Sequence, residues 1–133
     1  MIRKKLSVWY DPILDKKYID FNVEYVIGHF WMKYNNWKLL VEIIVELDKE
    51  KNLSFEDWKE AMRIEPNKEK IVIWYNPENN NITFSFDSIS NSNNFEKRIN
   101  IFHWRLIAVI HVEIDETKSV SYDDWYNQKH KGN

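Results

Sequence analysis

Every second position is apolar along two long segments of the chain, residues 39–47 and 106–114, while the positions between them are part apolar and part polar. In the first, every second residue is apolar: Leu39, Val41, Ile43, Val45 and Leu47. The second repeats this pattern with Leu106, Ala108, Ile110, Val112 and Ile114. A period of two is typical of a β-strand that buries one face, so the pattern predicts a strand in both segments.

The two segments belong to a longer internal repeat. Trp37–Glu60 and Trp104–Asn127 are identical at 10 of 24 positions at a constant offset of 67, and Arg3–Pro12 matches Lys68–Pro77 at an offset of 65. Self-similarity of this kind indicates one supersecondary unit that occurs twice. We therefore predict a single domain, residues 1–133, made of two repeats at about 3–64 and 68–128.

A helix is the alternative for the first segment. Its residues Leu39, Leu40, Ile43, Ile44 and Leu47 also form a stripe with helical spacing. The second segment lacks such a stripe and is rich in β-branched residues, and copies of one unit should share one structure. The repeat thus favours a strand in both copies, with the helix left open for residues 37–47.

Each repeat is predicted to begin with a hairpin and to end with a helix. The hairpins pair strands 3–10 with 17–22 and 69–76 with 82–87, with turns at Pro12 and Pro77. Ser54 and Ser121 each precede two acidic residues, which is typical of a helix N-cap. Between hairpin and long strand the copies diverge: the aromatic-rich stretch 23–34 is predicted to be helical despite Gly28, and Phe95, Ile99 and Phe102 have helical spacing in the stretch 95–102.

These elements predict an α+β fold. Two ββ(α)βα units, related by tandem duplication, would pack with pseudo-two-fold symmetry and mainly antiparallel sheet. The sequence leaves open whether the units share one sheet or form two.

The composition narrows the classes of function. Six of the seven tryptophans form matching pairs between the repeats, which predicts core packing: Trp9/Trp74, Trp37/Trp104 and Trp58/Trp125. With no cysteine, the chain has no disulfide and no thiol nucleophile. A net charge of -2 provides no general attraction to nucleic acid. No apolar run reaches the roughly 20 residues of a membrane helix, and no signal peptide is recognisable, so we expect a cytoplasmic protein.

The ionisable residues form no catalytic or metal-binding motif. The four histidines, His29, His103, His111 and His130, show no HExxH pattern and no pairing at helical spacing. The acidic pairs Glu56/Asp57 and Asp123/Asp124 are explained by the starts of the helices. We predict no catalytic residue, no metal and no cofactor.

Candidate binding residues are sought where the repeats differ. On the second face of the long strands, Glu42 and Glu46 flank apolar Ile44, and His111 replaces Ile44 in the other copy. An apolar residue rimmed by acids is typical of a surface that binds a basic protein. The candidate partner-binding residues are Glu42, Ile44, Glu46, His111 and Glu113. A covered or merely solvated face is the alternative, and the Asn/Ser-rich stretch 87–94 is a second candidate surface.

A small, cysteine-free, aromatic-rich and slightly acidic α+β chain resembles the immunity proteins of bacterial toxin systems, including contact-dependent and polymorphic toxins. The resemblance covers the whole chain and rests on no single motif, so no residue role is carried over. It implies that the protein binds one cognate toxin domain in the cytoplasm and blocks its active site or a substrate surface.

The sequence therefore favours a non-enzymatic protein-binding module that neutralises a toxin domain. An adaptor or regulatory subunit is the alternative, followed by a small ligand-binding or enzymatic domain. Neither nucleic acid nor a membrane is the expected partner, and the oligomeric state is open. Charge reversal at Glu42 and Glu46 is expected to weaken the complex with little change in thermal stability.

Overall fold

The computed structural model describes residues 1–20, 32–65, 67–87 and 92–130. The strands are β1 (Ile2–Asp11), β2 (Lys16–Asp20), β3 (Lys38–Leu47), β4 (Glu69–Asn76), β5 (Asn81–Asp87), β6 (Arg105–Val112) and β7 (Val120–Ser121). The helices are α1 (Phe55–Arg63), α2 (Ser92–Asn100) and α3 (Tyr122–His130), with a short 3-10 turn at Glu116–Lys118. Residues 32–34 are also helical.

The strands form two sheets, with the orders β2-β1-β3-β7 and β5-β4-β6. The hairpin pairs β1–β2 and β4–β5 are antiparallel, as are β3–β7 and β4–β6. The α+β class with mainly antiparallel sheet is confirmed, and the open question of one sheet or two is answered. Residues 38–47 are a strand, so the helical alternative for this segment is wrong.

Both predicted hairpins are present. β1 pairs with β2 from Ser7↔Asp20 to Asp11↔Lys16, and β4 pairs with β5 from Lys70↔Asp87 to Asn76↔Asn81. Asp15 and Asn80 take positive φ values of 52° and 59° in the turns, a conformation that Asp and Asn tolerate better than most residues. Residues 21 and 22, the end of the predicted second strand, lie outside the described residues.

The chain divides into two compact units that do not coincide with the two sequence repeats. We call residues 3–45 with 114–133 the N-terminal unit, and residues 1–2 with 46–113 the central unit. The N-terminal unit joins the first hairpin and most of β3 to β7 and α3. The central unit joins α1 to the second hairpin, α2 and β6. The helix that follows each long strand thus belongs to the unit built on the other repeat's hairpin.

In the central unit, α1 and α2 pack on one face of the sheet. The core contains Trp58 and Met62 of α1, Val72 and Trp74 of β4, Phe95 of α2 and Leu106 of β6. The ring of Phe95 lies 5.4 Å from both Trp58 and Trp74, centroid to centroid. The Trp58 indole is fully buried and donates its N–H to Asp87 at 3.0 Å, so its one polar atom is satisfied.

In the N-terminal unit, α3 supplies the corresponding tryptophan. Trp125 packs edge-on against Trp9 with ring centroids 5.2 Å apart, in a core that also holds Met32, Leu39 and Tyr122. The Trp125 N–H donates to Glu42 Oε1 at 2.9 Å. We call α1 and α3, which follow the long strands β3 and β6, the closing helices. Their tryptophans are buried and hydrogen-bonded. The expected core role holds for Trp9, Trp58, Trp74 and Trp125.

A β-bulge in β6 breaks the predicted alternation. Ile73 pairs with Ala108 but Trp74 pairs with Leu106, so Ile107 has no partner across the strand. Leu106 therefore shares the helix-covered face with Val109, not with Ala108 as the sequence pattern predicts. Through His111↔Lys70, His111 belongs to this same face.

Within the described residues, no helix combines the length and the apolar character that crossing a bilayer requires.

Candidate functional site

Two predicted partner-binding residues, Glu42 and Ile44, lie in the N-terminal unit on β3. Glu42 is partly buried: Lys5 Nζ lies 2.6 Å from Oε2, and the Trp125 indole donates to Oε1. Ile44 is 58% exposed. The Glu42 carboxylate is thus engaged in contacts within the chain, and Ile44 is the accessible residue of the two.

The other three lie in the central unit. Glu46 and Glu113 are exposed. His111 is half-buried, and its Nδ1 lies 3.2 Å from Oε2 of Glu65, just beyond α1. A hydrogen bond from Lys68, together with its charge, and a smaller contribution from His111 hold the pKa of Glu65 below its usual value. His111 is therefore engaged with a residue just beyond the end of α1.

The acidic pairs stand at helix starts, as expected. Asp57 accepts from the Ser54 backbone N–H at 3.0 Å, and the Ser54 hydroxyl accepts from the Asp57 N–H at 3.1 Å. The backbone and side-chain hydrogen bonds with Ser54 lower the pKa of Asp57. Asp124 makes one of these two bonds with Ser121: its N–H donates to the Ser121 hydroxyl at 3.2 Å.

A recess of about 380 Å³ opens in the N-terminal unit, away from the predicted binding residues. Its walls come from the first hairpin and from the segment that leads into β3. The lining residues are Asp11, Leu14, Tyr18, Asp20, Met32, Asn35 and Trp37. The volume falls in the lower part of the range that ligand pockets occupy, roughly 300–1,000 Å³.

Local chain geometry places the walls of this recess, which we call the Trp37 pocket. Tyr18 and Asp20 are two residues apart on β2 and so point to the same side of the strand. The helical residues 32–34 end in a Schellman-type motif: the Trp37 N–H donates to Met32 O at 2.9 Å and the Asn36 N–H to Lys33 O at 3.2 Å. Asn36 supplies the left-handed residue, with φ 53°. This motif brings Trp37 towards Met32, as its usual apolar contact requires.

The pocket combines a flat aromatic wall with an apolar edge. The rings of Tyr18 and Trp37 stack with centroids 4.9 Å apart and planes only 4° from parallel. Met32 is buried beneath, while Leu14 at the mouth is 55% exposed and its neighbour Ile13 is 62% exposed. Such a surface can accept an apolar or planar group from another molecule.

Asp11 is the buried polar group of the pocket, with 1% of its surface exposed. Its Oδ1 accepts from the Ile13 N–H at 2.9 Å and the Leu14 N–H at 3.1 Å, and its Oδ2 accepts from Asn35 Nδ2 at 3.1 Å. Burial opposes ionisation, but hydrogen bonds such as those from Leu14 and Asn35 outweigh it and hold the pKa of Asp11 below its usual value. Asp11 is therefore charged at neutral pH.

The sequence pointed to the turn at Asp11 but not to the pocket. The matching residue in the second repeat is Asn76, whose side chain accepts from the Glu78 N–H at 3.0 Å in a similar turn. Asp11 is thus charged where the other repeat has a neutral amide. Glu42 and His111 were chosen as candidates because of differences of this kind between the repeats. Applying that criterion to the hairpin turns would have singled out Asp11.

Within residues 1–20, 32–65, 67–87 and 92–130, no group of three His, Asp or Glu side chains could hold a metal ion. Comparison with protein-family models, with curated proteins and with solved structures gives no match.

Proposed function

We propose that this chain is a protein-binding module, non-enzymatic in its role, that uses the Trp37 pocket to receive a side chain of its partner. The observation that supports this most strongly is the stacked Tyr18–Trp37 wall beside exposed Leu14. Protein interfaces concentrate binding energy where a side chain fills a well-formed pocket. Exposed apolar residues at the mouth would exclude water around that contact.

The partner we propose is a bacterial toxin domain, which the chain neutralises in the cytoplasm by direct contact. The resemblance in size, composition and α+β class to toxin-immunity proteins supports this identity. Of the predicted partner-binding residues, Ile44 and Glu46 are exposed and suit a further part of the interface. Glu113 is exposed as well, whereas Glu42 and His111 have partners within the chain.

We also propose that the chain arose by tandem duplication with pseudo-two-fold symmetry, and that the two copies have exchanged their closing helices. Matching contacts support this. The Leu53 N–H, just before α1, donates to Leu106 O of the other repeat at 2.8 Å. At the matching positions, 67 residues away, Val120 pairs with Leu39 in β7 and β3. Trp58 packs near Trp74 of the other repeat, and Trp125 against Trp9.

Growth rescue tests the proposed function. Each protein encoded beside this chain in its native genome would be expressed in a bacterial host, with and without the chain. We expect one neighbour to arrest growth and wild-type chain to relieve the arrest. Leu14→Ser should relieve it poorly, because the mouth of the pocket loses its apolar side chain.

Two variants serve as comparisons in the same assay. Ile44→Ser probes the β3 surface, by which we mean the exposed residues Ile44 and Glu46, and Glu60→Gln alters an exposed residue on α1 that belongs neither to this surface nor to the pocket. Full rescue by Leu14→Ser would remove the pocket from the interface. The absence of any toxic neighbour that the chain relieves would refute the immunity role.

A further inference from the structure

We propose that the Trp37 pocket is selective for a guanidinium group, so that the partner inserts an arginine side chain there. This inference rests on the proposed protein-binding function and specifies the chemistry of the group that the pocket receives. Three features of the pocket favour this group: the charge of the walls, the aromatic rings, and the apolar edge.

The walls carry negative charge. Two carboxylates, Asp11 and Asp20, line the recess, and the lining includes no lysine or arginine among the described residues. Asp11 makes no ion pair within the described part of the chain, and its hydrogen bonds come from uncharged groups, among them two backbone N–H groups and the Asn35 amide. A buried carboxylate without a cationic partner creates a negative potential that favours an incoming cation.

The aromatic wall favours a planar cation over a compact one. Tyr18 and Trp37 stack face to face, 4° from parallel, and both line the recess, so a further planar group could extend the stack on an outer ring face. A guanidinium group stacks on aromatic faces and pairs with carboxylates through its fixed set of donors, whereas an ammonium is a strongly hydrated point charge. The combination of ring and acid therefore suits arginine better than lysine.

The apolar edge fits the stem of the same side chain. Leu14 and Met32 line the pocket together with the rings. An arginine buries its methylene groups against apolar surface while its charged end reaches polar groups. Arginine is also one of the residue types enriched in the energetic centres of protein interfaces.

The test uses small probes and the intact protein, and so needs no partner. N-acetylargininamide and its neutral isostere N-acetylcitrullinamide are titrated into isotope-labelled protein, and the Trp37 indole and Leu14 methyl signals are followed by NMR. We expect these signals to shift with the arginine compound, which should bind about five- to tenfold more tightly than the citrulline compound. The lysine analogue should also bind more weakly.

Two variants assign the effect to the pocket. Asp20→Asn should reduce the preference for arginine over citrulline, while Asp123→Asn, at an exposed position in the first turn of α3, should retain it. Tyr18→Leu should remove the preference for arginine over lysine. The spectrum of each variant reports whether it is folded.

Equal binding of the arginine and citrulline compounds, or shifts confined to residues outside the pocket, would overturn the inference. A preference that persists unchanged in both Asp20→Asn and Tyr18→Leu would do the same. These outcomes would not refute the proposed immunity role, because a toxin domain could be bound through another side chain. Conversely, failure of growth rescue with a clear arginine preference would refute the immunity role alone.

Discussion

At the scale of single residues, Glu42 shows how contacts alter an expectation drawn from sequence. Its carboxylate is 23% exposed and binds both Lys5 and the Trp125 indole. We expect Glu42→Lys to lower the free energy of unfolding by about 1–3 kcal/mol, because it removes a charged acceptor from a partly buried N–H. Glu46→Lys, on an exposed side chain of the same strand, should change it by less than about 0.5 kcal/mol.

Urea denaturation of both variants checks this contrast. Equal stabilities of Glu42→Lys and Glu46→Lys would mean that the Glu42 contacts contribute nothing to folding. In binding assays, only Glu46→Lys is a clean probe of the β3 surface, since loss of affinity in Glu42→Lys would also reflect a disturbed fold.

Asp11 should make the free energy of unfolding depend on pH in the acid range. Its folded-state pKa is lowered, so the ionised form is favoured in the folded chain and the unfolded chain binds more protons between the two pKa values. The stabilisation is therefore complete above the unfolded value, about 3.9, and is lost as the pH falls through the folded pKa. We expect Asp11→Asn to be less stable at pH 7 and to show a weaker loss of stability below about pH 4.

Thermal denaturation from pH 2 to 7 measures this effect, with Asp123→Asn as the control that keeps the acid dependence of the wild type. An acid profile of Asp11→Asn that superimposes on the wild-type profile would contradict the assigned role.

Residue roles were only partly predictable from the sequence. The tryptophan pairs identified core positions, since residues kept in both copies serve the shared fold. The internal contacts of Glu42 and the assembled pocket were not predictable, because each depends on contacts between distant parts of the chain, such as Glu42 with Trp125. Local spacing carries no information about such contacts.

At the scale of elements, the two closing helices differ in their caps. Ser54 forms a reciprocal capping box with Asp57, whereas the Ser121 hydroxyl, within the described residues, accepts only the bond from the Asp124 N–H. We expect Ser54→Ala to cost about 1 kcal/mol of stability and Ser121→Ala to cost less. Chemical denaturation of the two variants compares them, and a larger loss for Ser121→Ala would contradict this ranking.

Hairpins, long strands and closing helices were readable from periodicity, turn residues and caps. The face assignment in β6 was wrong at Leu106 because a bulge inserts an extra residue, and alternation alone cannot reveal it.

At the scale of the whole molecule, the proposed exchange of closing helices predicts how the two sequence repeats hold together. A protease site inserted between Asn67 and Lys68 would allow the folded chain to be cut into its two sequence repeats. Each fragment contributes a helix with a buried tryptophan, Trp58 or Trp125, to a core formed mainly by the other fragment. We therefore expect the cut protein to elute as one species by size-exclusion chromatography and to separate only under unfolding conditions.

The uncut insertion variant is the control for correct folding. Fragments that elute separately in native buffer, each with its own secondary structure, would show that the repeats fold independently and would contradict the exchange.

The claim that this chain works by binding one protein through the Trp37 pocket is tested most directly by quantitative co-purification from the native host. Wild-type chain, Leu14→Ser and Glu60→Gln would be tagged and recovered at equal amounts. We predict that one stoichiometric partner co-purifies with wild type and with Glu60→Gln and is strongly depleted with Leu14→Ser. Expression of this partner alone should arrest growth. No stoichiometric partner, or one retained equally by Leu14→Ser, would contradict the account.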